Sequence, residues 1–106
     1  MGKRRIMLAC VAGMSTSLLV SKMQKAAQEQ NMDIEIFAVP APEAMEEIKK
    51  ELVDAVLLGP QVRFMEPDFK QQLEPQGIVV GVIPMLDYGM MNGSKVLEFA
   101  VNLLEK

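Results

Sequence analysis

Apolar residues in this chain fall into short, nearly unbroken runs that alternate with stretches where they recur every three or four positions. The runs Arg5–Ala9, Ile34–Val39, Ala55–Leu58 and Ile78–Ile83 predict strands buried on both faces. The first helix is predicted over about Ser15–Gln30, with Leu19, Met23, Ala26 and Ala27 inward. A second is opened by Pro40-Ala41-Pro42-Glu43 and buries Ala41, Met45, Ile48 and Leu52. A third carries Val62, Met65, Phe69 and Leu73 on one face and breaks at Pro67. The last, about Ser94–Glu105, buries Leu97, Ala100, Val101 and Leu104, widened by Val96 and Leu103. Turns are expected at Asn31–Asp33, Gly59-Pro60 and Pro75–Gly77, and a loop at Pro84–Gly93.

Strands that each lead into a helix describe βαβ units. The expected fold is α/β: an open, doubly wound, four-stranded parallel sheet with helices on both faces, formed by residues 1–106 as a single domain. Such sheets bind ligands at the carboxyl ends of their strands, where strand order reverses. If the first strand is central, its end is that point, and Cys10 stands there.

Composition removes several alternatives. The chain has one cysteine and no histidine, so it forms no internal disulfide, no CxxC redox pair and no Cys–His dyad, and it lacks the usual zinc ligand and general base. That cysteine usage fits a reducing, cytoplasmic setting. A net charge of −3 argues against a nucleic-acid partner. No apolar run approaches the roughly 18 residues that span a bilayer, and the basic Met1–Arg5 start lacks the apolar region of a signal peptide. The ten methionines read as adaptable core filler, with a partner-binding surface as the second reading.

Cys10 is followed by Val11-Ala12-Gly13-Met14-Ser15-Thr16-Ser17, small and hydroxylated residues at the entrance to the first helix. A helix N-terminus favours a thiolate and then a phosphoryl group attached to it. Gly13 lets backbone N–H groups turn inward, and Ser15, Thr16 and Ser17 can cap the helix and donate hydroxyl hydrogen bonds. No Lys or Arg lies in the loop, so the backbone must supply most of the stabilisation. Two readings stand on these residues alone: a phosphoryl-accepting thiol, or a buried structural cysteine before a helix cap.

The stretch Cys10-Val11-Ala12-Gly13-Met14-Ser15-Thr16-Ser17-Leu18-Leu19-Val20 resembles the phosphorylation-site loop of IIB components of the phosphoenolpyruvate-dependent sugar phosphotransferase system, lactose/cellobiose class. Val56-Leu57-Leu58-Gly59-Pro60-Gln61-Val62 is similar to the family's third strand and turn, and Asp87-Tyr88-Gly89 with Asn92-Gly93 to its loop before the last helix. The resemblance implies a phosphoryl carrier. A phosphohistidine IIA protein donates to Cys10, and the group passes to a sugar, a β-linked disaccharide, held by the IIC membrane transporter. It implies no cofactor and no metal. Cys10 is then nucleophile and leaving group, and backbone N–H groups from Val11 to Ser17 hold the phosphoryl oxygens.

The alternative is a hydrolase like the low-molecular-weight tyrosine phosphatases. These share the layout but place an arginine six positions after the cysteine, where this chain has Thr16. Asp87 is that reading's best support, as an acid for the leaving group, against a plain turn or cap role. Gln61 lines the site or caps a helix, and Tyr88 packs beside the loop or touches a partner. Arg63 reads as surface, and Met14 as an apolar docking contact at the loop tip. A flavin site would call for more aromatic rings than one Tyr and no Trp provide.

Overall fold

The computed structural model describes residues 3–11 and 13–105, with the side chains of 13–15 left aside. Four parallel strands, β1 (Arg4–Cys10), β2 (Ile34–Pro40), β3 (Ala55–Leu58) and β4 (Val79–Val82), form one sheet in the order β2-β1-β3-β4. The register pairs Cys10 with Pro40 and Ala9 with Leu58. Backbone bonds from Gly59 N to Ala9 O (2.9 Å) and from Ile83 N to Leu58 O (2.9 Å) carry the pairing past the strand ends. The segments after β1, β3 and β4 therefore leave the sheet at one edge. β1 is central, and order reverses between it and β3, which meets the condition for the end of β1 to be the switch point.

The period of two along each strand divides the core. Ile6, Leu8, Ala55, Leu57 and Ile83 face α1 (Gly13–Glu29) and α5 (Gly93–Leu104), which return Leu19, Met23, Ala27, Val96, Leu97 and Ala100. Met7, Ala9, Val56, Leu58 and Val80 face α2 (Ala44–Lys50) and α3 (Glu66–Leu73), which return Ala44, Ile48, Phe69 and Leu73. Cys10 has the parity of Ile6 and Leu8 and belongs to the α1/α5 side. The buried stripe predicted for the first helix is all in the core. The methionines divide: Met7 and Met23 are core, Met32, Met45, Met65 and Met91 pack at its margins, and Met85 and Met90 are exposed.

Several boundaries differ from the expectations. α1 opens at Gly13, two residues early, so Thr16 and Ser17 lie within the helix rather than capping it. The periodicity of Leu18, Leu19 and Met23 does not extend into the first turn, Gly13-Met14-Ser15-Thr16. Leu52 is exposed, because α2 ends at Lys50. The break at Pro67 is present: a 3-10 segment, Pro60–Met65, precedes α3, and the proline occupies its first turn. The expected loop 84–93 holds a further helix, α4 (Met85–Gly89), whose five residues are too few to show a helical period. Asn31 leaves α1 with φ 57°, a conformation asparagine accepts more readily than most residues.

At the amino edge of the sheet, opposite Cys10, Arg5 ties β1 to the α2–β3 connection. Its Nη1 donates to Glu51 O (3.1 Å) and Leu52 O (2.8 Å), and its guanidinium lies 4.8 Å from the Phe37 ring centroid. Glu35 and Glu51 balance its charge at 3.4 and 3.2 Å. Arg5→Ala leaves two carbonyls without this donor and removes the ring contact, which is expected to cost about 2–3 kcal/mol. Urea unfolding should show a lower midpoint with an unchanged slope. Stability equal to wild type would show that water replaces the arginine at no cost.

Candidate functional site

Three segments build the site. β1 delivers Cys10, whose side chain is 3% exposed, and α1 starts at Gly13 above it. Gly59 follows β3, and a Cβ placed on it would sit 3.4 Å from Cys10 Cβ and 3.1 Å from Gln61 Oε1. Glycine here lets the β3 exit lie directly against the cysteine. α4, after β4, supplies Tyr88.

Within this frame Thr16 Oγ1 donates to Cys10 Sγ at 2.8 Å, and the Tyr88 hydroxyl lies 3.2 Å from Thr16 Oγ1. Thr16 is 1% exposed and Tyr88 8% exposed. The position that holds arginine in the phosphatases thus holds a hydroxyl bonded to the thiol sulfur. The Tyr88 side chain packs against Thr16 at the start of α1. Buried polar groups need partners, and here threonine and tyrosine supply each other and the sulfur.

The other candidates are dispersed around this centre. Val11 is exposed beside Cys10, Ser17 is exposed on α1, and Gln61 is exposed at the β3 exit. Asp87 is half-buried in α4, where its carbonyl accepts from Asn92 N at 2.9 Å. Ala12, and the side chains of Gly13, Met14 and Ser15, lie outside the described residues. Arg63 is exposed, as its reading as a surface residue expects. No group of three or more Cys, Asp or Glu side chains gathers as a metal site among the described residues.

Between the β3 exit and α4, with Tyr88 in its wall, opens a cavity of about 720 Å³ lined also by Pro60, Gln61, Arg63, Phe64, Met85 and Gly89. Phe64, 75% exposed, and Met85 are apolar positions off the buried faces of their segments. That departure from the inward stripe was the available sequence signal for this surface. Val11, Leu18, Leu86 and Met90 are also exposed on the segments that follow β1 and β4. The strand-end edge is thus richer in exposed apolar side chains than a solvated loop region requires.

The family model described as PTS system, Lactose/Cellobiose specific IIB subunit matches residues 5–99. The galactose-specific EIIB component of Lactococcus lactis subsp. cremoris is 50% identical over 98% of this chain and 99% of the relative. The oligo-beta-mannoside-specific EIIB component of Bacillus subtilis is 44% identical over 95% of this chain and 96% of the relative. The solution structure of the cellobiose-specific phosphotransferase IIB component from Borrelia burgdorferi superposes with a TM-score of 0.77 at 39% identity, covering 98% of this chain and 94% of that one. The lactose-specific IIB component domain from Streptococcus pneumoniae has the same fold, with a TM-score of 0.83 at 19% identity over 96% of this chain and 98% of that one. These matches do not favour the phosphatase alternative. The chain belongs to the lactose/cellobiose-specific IIB family of the sugar phosphotransferase system, whose members take a phosphoryl group from a IIA protein and pass it to a sugar handled by a IIC transporter.

Proposed function

We propose that Cys10 bears the phosphoryl group, receiving it from a phosphohistidine of IIA and passing it to a β-linked disaccharide, with residues 1–106 acting as one domain in the cytoplasm. The observation that carries this reading is the placement of the one cysteine at the end of the central strand, where order reverses and α1 begins. No helix among the described residues is long and apolar enough to cross a membrane. Relatives named for cellobiose and oligo-beta-mannosides, both β-linked, support this sugar class, beside one named for galactose.

The start of α1 at Gly13 supports a backbone cradle. The N–H groups at a helix start have no intrahelical partner, and they carry the positive end of the helix dipole. The backbone from Val11 to Ser17 holds the three equatorial oxygens, with the hydroxyls of Ser15 and Ser17 adding donors, while the Thr16 hydroxyl serves the sulfur. Gln61 lines the mouth of the site, and Tyr88 its floor. Asp87 acts as a turn residue. In-line transfer needs such positioning and charge stabilisation more than acid–base groups.

Intact-mass analysis tests the reading. After incubation with phosphoenolpyruvate, the two general phosphotransferase proteins and a matching IIA, the chain gains one phosphoryl group. No gain with several IIA proteins would overturn the carrier role of this cysteine.

The docking face in this proposal surrounds Cys10 and includes Met14, Phe64, Met85 and Leu86. Met85→Asp places a charge on the apolar wall of the cavity. It is expected to slow loading by IIA about tenfold, the scale of a single interface contact, while thermal melting stays within a few degrees. Unchanged loading would remove this wall from the interface.

A further inference from the structure

The Thr16 hydroxyl has one hydrogen and two lone pairs. That hydrogen is used on Cys10 Sγ at 2.8 Å. The contact of 3.2 Å between Thr16 Oγ1 and the Tyr88 hydroxyl then has only one consistent direction: Tyr88 donates and Thr16 accepts. The result is a buried chain, Tyr88 O–H to Thr16 O–H to Sγ, with each hydrogen pointing toward sulfur. Without the tyrosine hydrogen, the threonine rotor is free to turn its own hydrogen to another acceptor.

We propose that Tyr88 is a positioning residue for discharge of the phosphocysteine: by donating to Thr16 it holds the threonine hydrogen on the sulfur, where charge develops as the phosphoryl group leaves. The proposal rests on Cys10 as the phosphoryl-bearing residue. In the discharge step a sugar hydroxyl oxygen forms the new O–P bond and gives its proton to solvent. The S–P bond breaks and its electron pair stays on Sγ. Sulfur in the phosphorylated state is a weak acceptor, and the departing thiolate is a strong one. A hydrogen bond to an ionised acceptor is about twice as strong as one between neutral groups. The chain is therefore stronger in the transition state than before it, the condition for accelerating a step. Burial of all three side chains keeps water from supplying the same donor. Tyr88 also lines the outer cavity with Met85 and Gly89, so the chain runs from the partner-facing surface to the sulfur.

The test compares wild type, Tyr88→Phe, Thr16→Val and the double variant. Each is loaded through IIA, then chased with sugar and IIC-containing membranes while the phosphoryl group is followed by intact mass. The free thiol is alkylated with iodoacetamide across pH in parallel. Once loaded, Tyr88→Phe is expected to discharge about three- to tenfold more slowly, the scale of one hydrogen bond, and to shift its alkylation profile to higher pH. The charged residues on the flanking segments, Glu43 after β2, Arg63 and Glu66 after β3, Asp87 in α4 and Lys22, Lys25 and Glu29 in α1, are the same in every variant. The Tyr88 effect should vanish in the Thr16→Val background, because it acts through Thr16. Wild-type discharge and alkylation in Tyr88→Phe would overturn the proposal. So would multiplying effects in the double variant, or slower discharge with lower melting and an unmoved alkylation profile. If wild type itself takes no phosphoryl group, the carrier reading of Cys10 fails, and alkylation still decides whether the hydroxyl chain acts on the thiol.

Discussion

Cys10→Ser is expected to abolish phosphoryl transfer to the sugar, a loss on the order of a thousandfold or more, the scale on which removing a nucleophile acts. Serine has nearly the same shape, so the loss isolates chemistry from packing. A hydroxyl holds its proton far more tightly than a thiol, whose ordinary pKa is about 8.5, so little nucleophile forms. Any phosphate that did reach the oxygen would sit in a stable ester, because an alkoxide leaves far less readily than a thiolate. The variant is therefore defective as acceptor and as donor. Its fold should persist: the buried hydroxyl stays within reach of Thr16, and melting should fall only slightly. Intact mass and sugar phosphorylation, measured beside a melting curve, decide it. A serine variant that is loaded and discharged at even a tenth of the wild-type rate would move the reaction to another residue.

Gly93→Ala should produce the largest loss of stability. Gly93 opens α5 behind the Asn92 cap, whose Oδ1 accepts from Lys95 N at 3.1 Å. A Cβ there would lie 2.6 Å from the carbonyl carbon, 2.7 Å from Cβ and 2.8 Å from the carbonyl oxygen of Lys22. Two of those atoms are backbone in the middle of α1 and cannot rotate away, so the helices must separate. Overpacking of this kind costs about 1–3 kcal/mol, and a backbone obstacle puts it at the upper end. At roughly 4–8 °C per kcal/mol for a domain near this size, the melting temperature should fall by well over 10 °C. A melting curve within a few degrees of wild type would show that α1 and α5 can part without loss.

Most of the architecture was legible because burial imposes a period. Continuous apolar runs such as Ala55–Leu58 appear where both faces of a strand are covered, and the stripe Leu19, Met23, Ala26, Ala27 appears where one face of a helix is. Elements too short to show a period escaped: α4 occupies five residues, and the first turn of α1, Gly13-Met14-Ser15-Thr16, lies ahead of the apolar stripe. Leu52 was misplaced because the apolar period continues past the last residue of α2.

The site divides in the same way. By itself the sequence determined the parallel α/β fold, the strand end on which the lone cysteine falls, and the kind of residues that follow it. These are local quantities, carried by periodicity and by neighbours along the chain. Only the tertiary structure decided that Thr16 turns its hydroxyl onto the sulfur. It also decided that Tyr88, 72 residues further on, closes the chain behind Thr16, and that Phe64 and Met85 wall one cavity. Those contacts depend on the order β2-β1-β3-β4, which brings the exits of β1, β3 and β4 to one edge. Strand order is a long-range packing outcome, and no spacing between residues along the chain encodes the distance between two such exits.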